Sequence, residues 1–125
     1  MIHLDTSVLV DALTGPRRSA SRLRAFLEDG ERIVFSTIVL YEWLRGPRRQ
    51  EELVAQEALL PREGAIAFGG AEASLAAQLY RSVRRARGRE IDLIVAACAI
   101  VHGARFWTLD PDDFSDVPDL ELVGR

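Results

Sequence analysis

Lysine is absent from this chain. All 16 basic residues among its 125 are arginine, which excludes a lysine Schiff base or a lysine general base. Cysteine occurs once, as Cys98, so no internal disulfide forms. Its place in the apolar run Ile94–Val101 marks it as a small core residue rather than a nucleophile, and no histidine can be placed beside it. No apolar run approaches the ~18 residues that would span a bilayer. The opening Met1-Ile2-His3-Leu4-Asp5 lacks the basic stretch of a signal peptide, so a mature, soluble, cytoplasmic protein with no membrane contact is expected. A positive balance is missing too. The net charge is −3, which is not the footprint of a generic nucleic-acid binder. Repeats, linkers and low-complexity tracts are also missing, and the length suits one domain spanning residues 1–125.

What the chain does contain is acid in particular places. Asp5 closes the apolar run Ile2-His3-Leu4, Glu42 ends Ile38-Val39-Leu40-Tyr41-Glu42, Asp92 opens a run continuing through Ala99, and Asp110 ends Phe106-Trp107-Thr108-Leu109-Asp110. A carboxylate set against apolar residues costs desolvation energy unless a cation or hydrogen bonds compensate it. The arginines cluster as well, at Arg17–Arg24, Arg45–Arg49 and Arg81–Arg89. Guanidinium groups grip phosphate in bidentate fashion, but such clusters equally make ordinary solvated surface.

The hydrophobic pattern predicts strands at 2–4, 32–35, 65–68, 104–108 and 120–123. It predicts helices at 6–13 (capped by Thr6 or Ser7), 18–28, 36–45 (capped by Ser36 and ended by Gly46-Pro47), 48–59, 71–86 and 91–102. The helix from 91 is apolar nearly all round, as a buried helix must be. Asp110–Phe114 reads as a tight turn. Strands alternating with helices imply an α/β domain with a parallel sheet covered on both faces.

In such sheets, sites form beyond the carboxyl ends of the strands. Asp5 and Asp110 follow the first and fourth predicted strands. Glu42 lies about two turns into the helix after the second, and Asp92 lies in the first turn of its helix, where the dipole favours a carboxylate. Four acids from four elements thus converge on one edge. Crowded carboxylates raise one another's pKa, and a hard divalent cation resolves the conflict. Mg²⁺ or Mn²⁺ takes oxygen ligands, activates water and stabilises charge on a phosphoryl oxygen, so phosphodiester hydrolysis is the chemistry that fits.

The flanking segments carry a resemblance. Asp5-Thr6-Ser7-Val8-Leu9, Ser36-Thr37-Ile38-Val39-Leu40-Tyr41-Glu42 with Gly46, Ile91-Asp92-Leu93-Ile94-Val95-Ala96-Ala97, and Thr108-Leu109-Asp110 with Asp113-Phe114 resemble the PIN-domain family, and within it the VapC toxins of toxin–antitoxin pairs. The motifs run in the family's order over essentially the whole chain. The resemblance implies a three-layer α/β/α fold with a five-stranded parallel sheet in order 3-2-1-4-5. It implies a Mg²⁺- or Mn²⁺-dependent endoribonuclease acting on RNA, with Asp5, Glu42, Asp92 and Asp110 as catalytic and metal-binding residues. It also implies a homodimer and a cognate VapB-like antitoxin. Many family members carry Asn where this chain has Asp110. Asp113 precedes Phe114 as in the family and is expected either to support the ligands from behind or to serve as an alternative ligand, and the hydroxyls of Thr6 and Thr108 stand beside the acids, where they can orient a water or a phosphate.

His3 shares a strand face with Asp5, but packing inside the sheet is its expected role. His102 lies about 15 Å along the helix from Asp92 and is assigned no catalytic part. The tryptophans, tyrosines and phenylalanines are too dispersed for a base-stacking platform and are expected in core or dimer packing. Two other functions compete. A phosphatase of the haloacid dehalogenase type wants a second Asp where Ser7 stands, and a lysine. A catalytically silent PIN-like RNA- or protein-binding module would be expected to lack one of the four acids.

Overall fold

In the computed structural model, which describes residues 1–124, the chain forms an α/β fold around a short, deeply buried parallel sheet. The central strand is β1 (Ile2–Leu4). It pairs on one side with β2 (Ile33–Val34) and on the other with β3 (Arg105–Trp107), giving the order β2-β1-β3. His3 lies opposite both Val34 and Phe106. Successive strand residues point to opposite faces. Because Ile2, His3 and Leu4 are all fully buried, both faces of the sheet are covered.

The expected five-stranded ladder in order 3-2-1-4-5 is not what forms. The segments at 65–68 and 120–123 each meet the sheet at one bridge, Ser36 with Ile66 and Phe106 with Leu122. Both segments lie where outer strands would lie, but each is too short to extend a ladder. The first is squeezed between a 3-10 turn at Arg62–Gly64 and the next helix. The second leaves a tight turn in which Asp119 takes the left-handed conformation (φ 66°).

Among the described residues six helices surround the sheet: α1 (Thr6–Leu13), α2 (Ala20–Glu28), α3 (Thr37–Arg45), α4 (Gln50–Leu59), α5 (Gly70–Ser82) and α6 (Glu90–Val101). Helix α6 buries Leu93 and Val95–Ala99 and packs against α5, α3 and β3. Cys98 sits inside it, where burial pushes the thiol up to about 11 and leaves it inert. Ser36 caps α3 as its sequence predicts, accepting from the Val39 amide at 3.3 Å.

Two helix boundaries differ from expectation. The cap of α1 is Asp5 itself, whose carboxylate accepts from the Thr6 amide at 2.9 Å, and this frees the Thr6 and Ser7 hydroxyls for other partners. Helix α5 stops at Ser82 rather than near residue 86. The Ser82 hydroxyl bonds back to the Gln78 carbonyl, a local alternative to continuing the helix. Val83 is already extended, so the arginines at 84–89 lie in a loop that ends through Gly88 (φ 86°).

The core contains Trp43, Trp107, Phe35, Phe106 and Phe114, whereas Tyr41 (58% exposed) and Tyr80 (43%) stand on the surface. His3 is a packing residue. Its ring lies 5.8 Å from that of Phe106, and neither nitrogen makes a well-formed hydrogen bond among the described residues. Burial pushes its pKa down to about 4, so it stays neutral at ordinary pH. His102, at the far end of α6, faces Glu72 at 2.9 Å. Among the described residues, no helix is long and apolar enough to cross a membrane.

Candidate active site

The carboxyl ends of β1 and β3 are bound together by a web of hydroxyl groups centred on Asp5. The Asp5 amide donates to the Trp107 carbonyl at 2.9 Å and fixes the end of β1 beside the end of β3. Asp5 Oδ2 accepts two hydroxyl protons, from Thr108 Oγ1 at 2.7 Å and Ser7 Oγ at 3.0 Å. Each of these hydroxyls in turn accepts a backbone amide from the chain leaving β3. Asp110 N donates to Thr108 Oγ1 and Leu109 N to Ser7 Oγ, both at 3.1 Å. A hydroxyl has one proton to donate, so this polarity is set by Asp5 acting as an ionised acceptor.

On the other side of α1, Thr6 Oγ1 donates to Glu42 Oε1 at 2.7 Å, and Arg45 approaches Glu42 Oε2 at 3.4 Å. Three consecutive residues, Asp5-Thr6-Ser7, therefore join β1, α3 and the segment after β3. Sequence reasoning had offered Ser7 only as a helix cap, with no part in the site. The signal for it was a hydroxyl two residues beyond a buried acid.

Desolvation pushes Asp5 above the ordinary carboxylate range. The Thr108, Ser7 and Thr6 hydrogen bonds oppose that rise and the charge of Glu42 adds to it. Asp92, in the first turn of α6, is also raised, first by desolvation and then by the charges of Asp5, Asp113 and Glu42, with Arg89 opposing. Asp5, Glu42, Asp92 and Asp113 thus share one electrostatic neighbourhood.

Asp110 begins the 3-10 turn Pro111–Phe114 without a side-chain cap. It lines a cleft of about 520 Å³ together with Arg22, Thr108, Leu109 and Asp113. A second cleft, of about 620 Å³, lies between the Arg84–Arg89 loop and the same turn, and Asp92 and Asp113 line it. Asp113 borders both. Of the predicted residues, Thr6 and Thr108 lie in direct contact with the acids, Asp113 acts on Asp92 through its charge, and Asp110 stands at the start of the turn.

A PIN domain model matches residues 2–120. The chain belongs to the PIN-domain family. Along its length it is 34% identical to Ribonuclease VapC19 of Mycobacterium tuberculosis, with 94% of this chain and 95% of that protein covered. Solved structures with the same fold include two VapBC complexes. The crystal structure of VapBC2 from Rickettsia felis bound to a DNA fragment from their promoter superposes with a TM-score of 0.75 at 22% identity, over 98% of each chain. That of DNA-bound VapBC from Salmonella typhimurium gives 0.77 at 19% identity, over 98% of this chain and 96% of that one.

The donors at the edge of this PIN domain are all oxygen, the set that hard cations prefer. Among the described residues, however, no three acidic, histidine or cysteine side chains stand close enough together to cage an ion unaided. Mg²⁺ normally keeps several waters and takes only one or two protein carboxylates directly. The residues present therefore suit a hydrated ion, and Asp5 and Asp92, raised first by desolvation and then by neighbouring charge, are the groups whose charged forms it would favour.

Proposed function

We propose that this PIN domain is a Mg²⁺- or Mn²⁺-dependent endoribonuclease, the toxin of a toxin–antitoxin pair. The observation that carries the reading is the Asp5 network. A buried carboxylate, raised by desolvation while two hydroxyls and a backbone amide favour its charged form, lies close enough to Asp92 for its charge to raise that residue as well. The 34% identity to a named ribonuclease over nearly the full length supports it, as does the PIN-family match.

In this reading Asp5 and Asp92 hold the metal, with Asp113 or Asp110 completing the set from the turn after β3. The metal, when bound, supplies an acidified water and charge neutralisation at the scissile phosphate. Glu42 is held at Oε1 by Thr6 and approached at Oε2 by the exposed Arg45, and its role in this reading is to accept a proton from a water or to order one. Thr108 and Ser7 fix the orientation of the Asp5 carboxylate through its Oδ2 oxygen. The exposed Arg84 and Arg85 border the cleft that Asp92 and Asp113 line and offer guanidinium groups to an RNA backbone.

The solved structures of VapBC complexes suggest a VapB-like antitoxin as partner, and a homodimer in the cytoplasm completes the reading. Induced expression tests it. The wild-type chain is expected to arrest growth with discrete cuts in cellular RNA, and Asp92→Asn to do neither. Equal arrest by Asp92→Asn, without RNA cuts, would remove the nuclease from the account.

A further inference from the structure

Arg89 lies three residues before Asp92, at the entrance to α6, and its guanidinium is almost fully engaged. Nη1 and Nη2 form a fork on the Asp116 carboxylate at 2.9 and 2.7 Å. Nη2 also donates to the Asp113 carbonyl at 2.9 Å, and Nη1 to the Arg84 carbonyl at 3.1 Å. Three segments meet on this one side chain: the loop after α5, the start of α6 and the acidic turn. A typical surface ion pair holds little, because two long side chains must be ordered for one screened contact. Here the fork is bidentate, the arginine side chain is only 21% exposed, and two further bonds reach main-chain oxygens. With four contacts on five N–H donors, Arg89 has little left with which to read a phosphate, unlike its exposed neighbours Arg84 and Arg85.

We propose that Arg89 is a positioning residue that fixes the Asp113 turn beside Asp92, so that carboxylates from two separate segments present a single seat for a divalent cation. The inference rests on the nuclease reading above. Neither Asp92 nor Asp113 receives a side-chain hydrogen bond among the described residues. Their spacing is therefore set by the backbone alone, and Arg89 ties the two backbones together. Asp116 acts through Arg89 and touches no substrate.

The test is a Mn²⁺ titration followed by electron paramagnetic resonance, on purified antitoxin-free protein, for wild type, Arg89→Lys, Asp116→Asn and the double variant. Arg89→Lys keeps the charge and loses the fork. Asp116→Asn keeps the arginine and weakens its anchor, and it carries the test if Arg89→Lys does not fold. Both are expected to bind Mn²⁺ about 10- to 100-fold more weakly. The double variant should be no worse than the worse single one. In RNA cleavage, the Mn²⁺ needed for half-maximal rate should rise in parallel, while saturating Mn²⁺ restores kcat and leaves KM for RNA unchanged. Folded variants that bind Mn²⁺ like the wild type would overturn the positioning role and leave the nuclease reading standing. A loss of kcat that saturating Mn²⁺ does not restore would also overturn it. A wild type that neither binds Mn²⁺ nor cuts RNA would overturn both.

Discussion

Asp5 and Glu42, on one flank of the acidic edge, are gripped by side chains. Between them they accept three hydroxyl protons, from Thr108, Ser7 and Thr6. Asp92 and Asp113, on the other flank, accept no side-chain hydrogen bond among the described residues and are placed by a helix start, a 3-10 turn and the Arg89 fork between them. The first flank is pre-organised. The second is held at the level of the main chain, leaving its carboxylate oxygens available to a cation and its waters. A site that binds a hydrated ion needs both: fixed charge to define the place, and unengaged oxygens to fill the coordination sphere.

Removing charge from the rigid flank gives the largest effect. Asp5→Asn is expected to lower RNA cleavage by roughly a thousandfold or more, the scale of several kcal/mol of lost charge stabilisation. Initial rates on a defined RNA check it. An effect under tenfold would mean that Asp5 is structural.

Thr108→Val keeps the shape and removes a hydroxyl that serves two partners. It is expected to raise the Mn²⁺ requirement about 10- to 100-fold. It is also expected to cost about 1–3 kcal/mol of stability, because Thr108 is nearly buried and the Asp5 oxygen loses a donor. Urea melts and metal titrations separate the two contributions.

On the looser flank the two turn acids divide. Asp113→Asn is expected to impair cleavage more than Asp110→Asn, because the Asp113 charge acts on Asp92 and the residue borders both clefts. The opposite order in kcat would return the metal to the Asp110 side.

The smallest effect is on stability. Asp5 and Asp92 both have folded pKa values raised above the ordinary 3.8. The folded protein thus holds those protons more tightly than the unfolded chain, and their contribution to stability is full at low pH and lost as pH rises through the raised values. A divalent cation replaces the protons. Mg²⁺ is therefore expected to raise Tm at neutral pH through linkage, and the rise is expected to vanish on acidification. Thermal melts with and without Mg²⁺, in wild type and Asp5→Asn, measure it. A rise that persists in acid, or survives in Asp5→Asn, would place the ion elsewhere.

The two flanks also differ in how legible they were. Asp5, Ser36, Glu42 and the apolar helix after Asp92 stand out because each couples a polar residue to a strand end, a cap or an uninterrupted apolar run. Those local rules held in β1, α3 and α6. The looser flank depends on contacts between residues distant in the chain. Nothing local marks Arg89 as the partner of Asp116, 27 positions away. Nothing local favours Asp113 over Asp110, since both lie in one short turn and only its winding separates them. The outer strands failed for a related reason. A four-residue apolar segment satisfies the strand pattern, but whether it forms a ladder or a single bridge depends on the turns at its ends. The cap of α1 was expected at Thr6 or Ser7 and falls on Asp5, because Asp5 serves at once as cap and as candidate ligand.

The most direct test of the account is cleavage of total cellular RNA by the purified, antitoxin-free chain in Mn²⁺ or Mg²⁺ and in EDTA, with Asp92→Asn alongside. The account predicts discrete cuts that need the metal and vanish in the variant. Intact RNA in every lane, from folded protein, would contradict it and leave a PIN fold kept as a catalytically silent binding module.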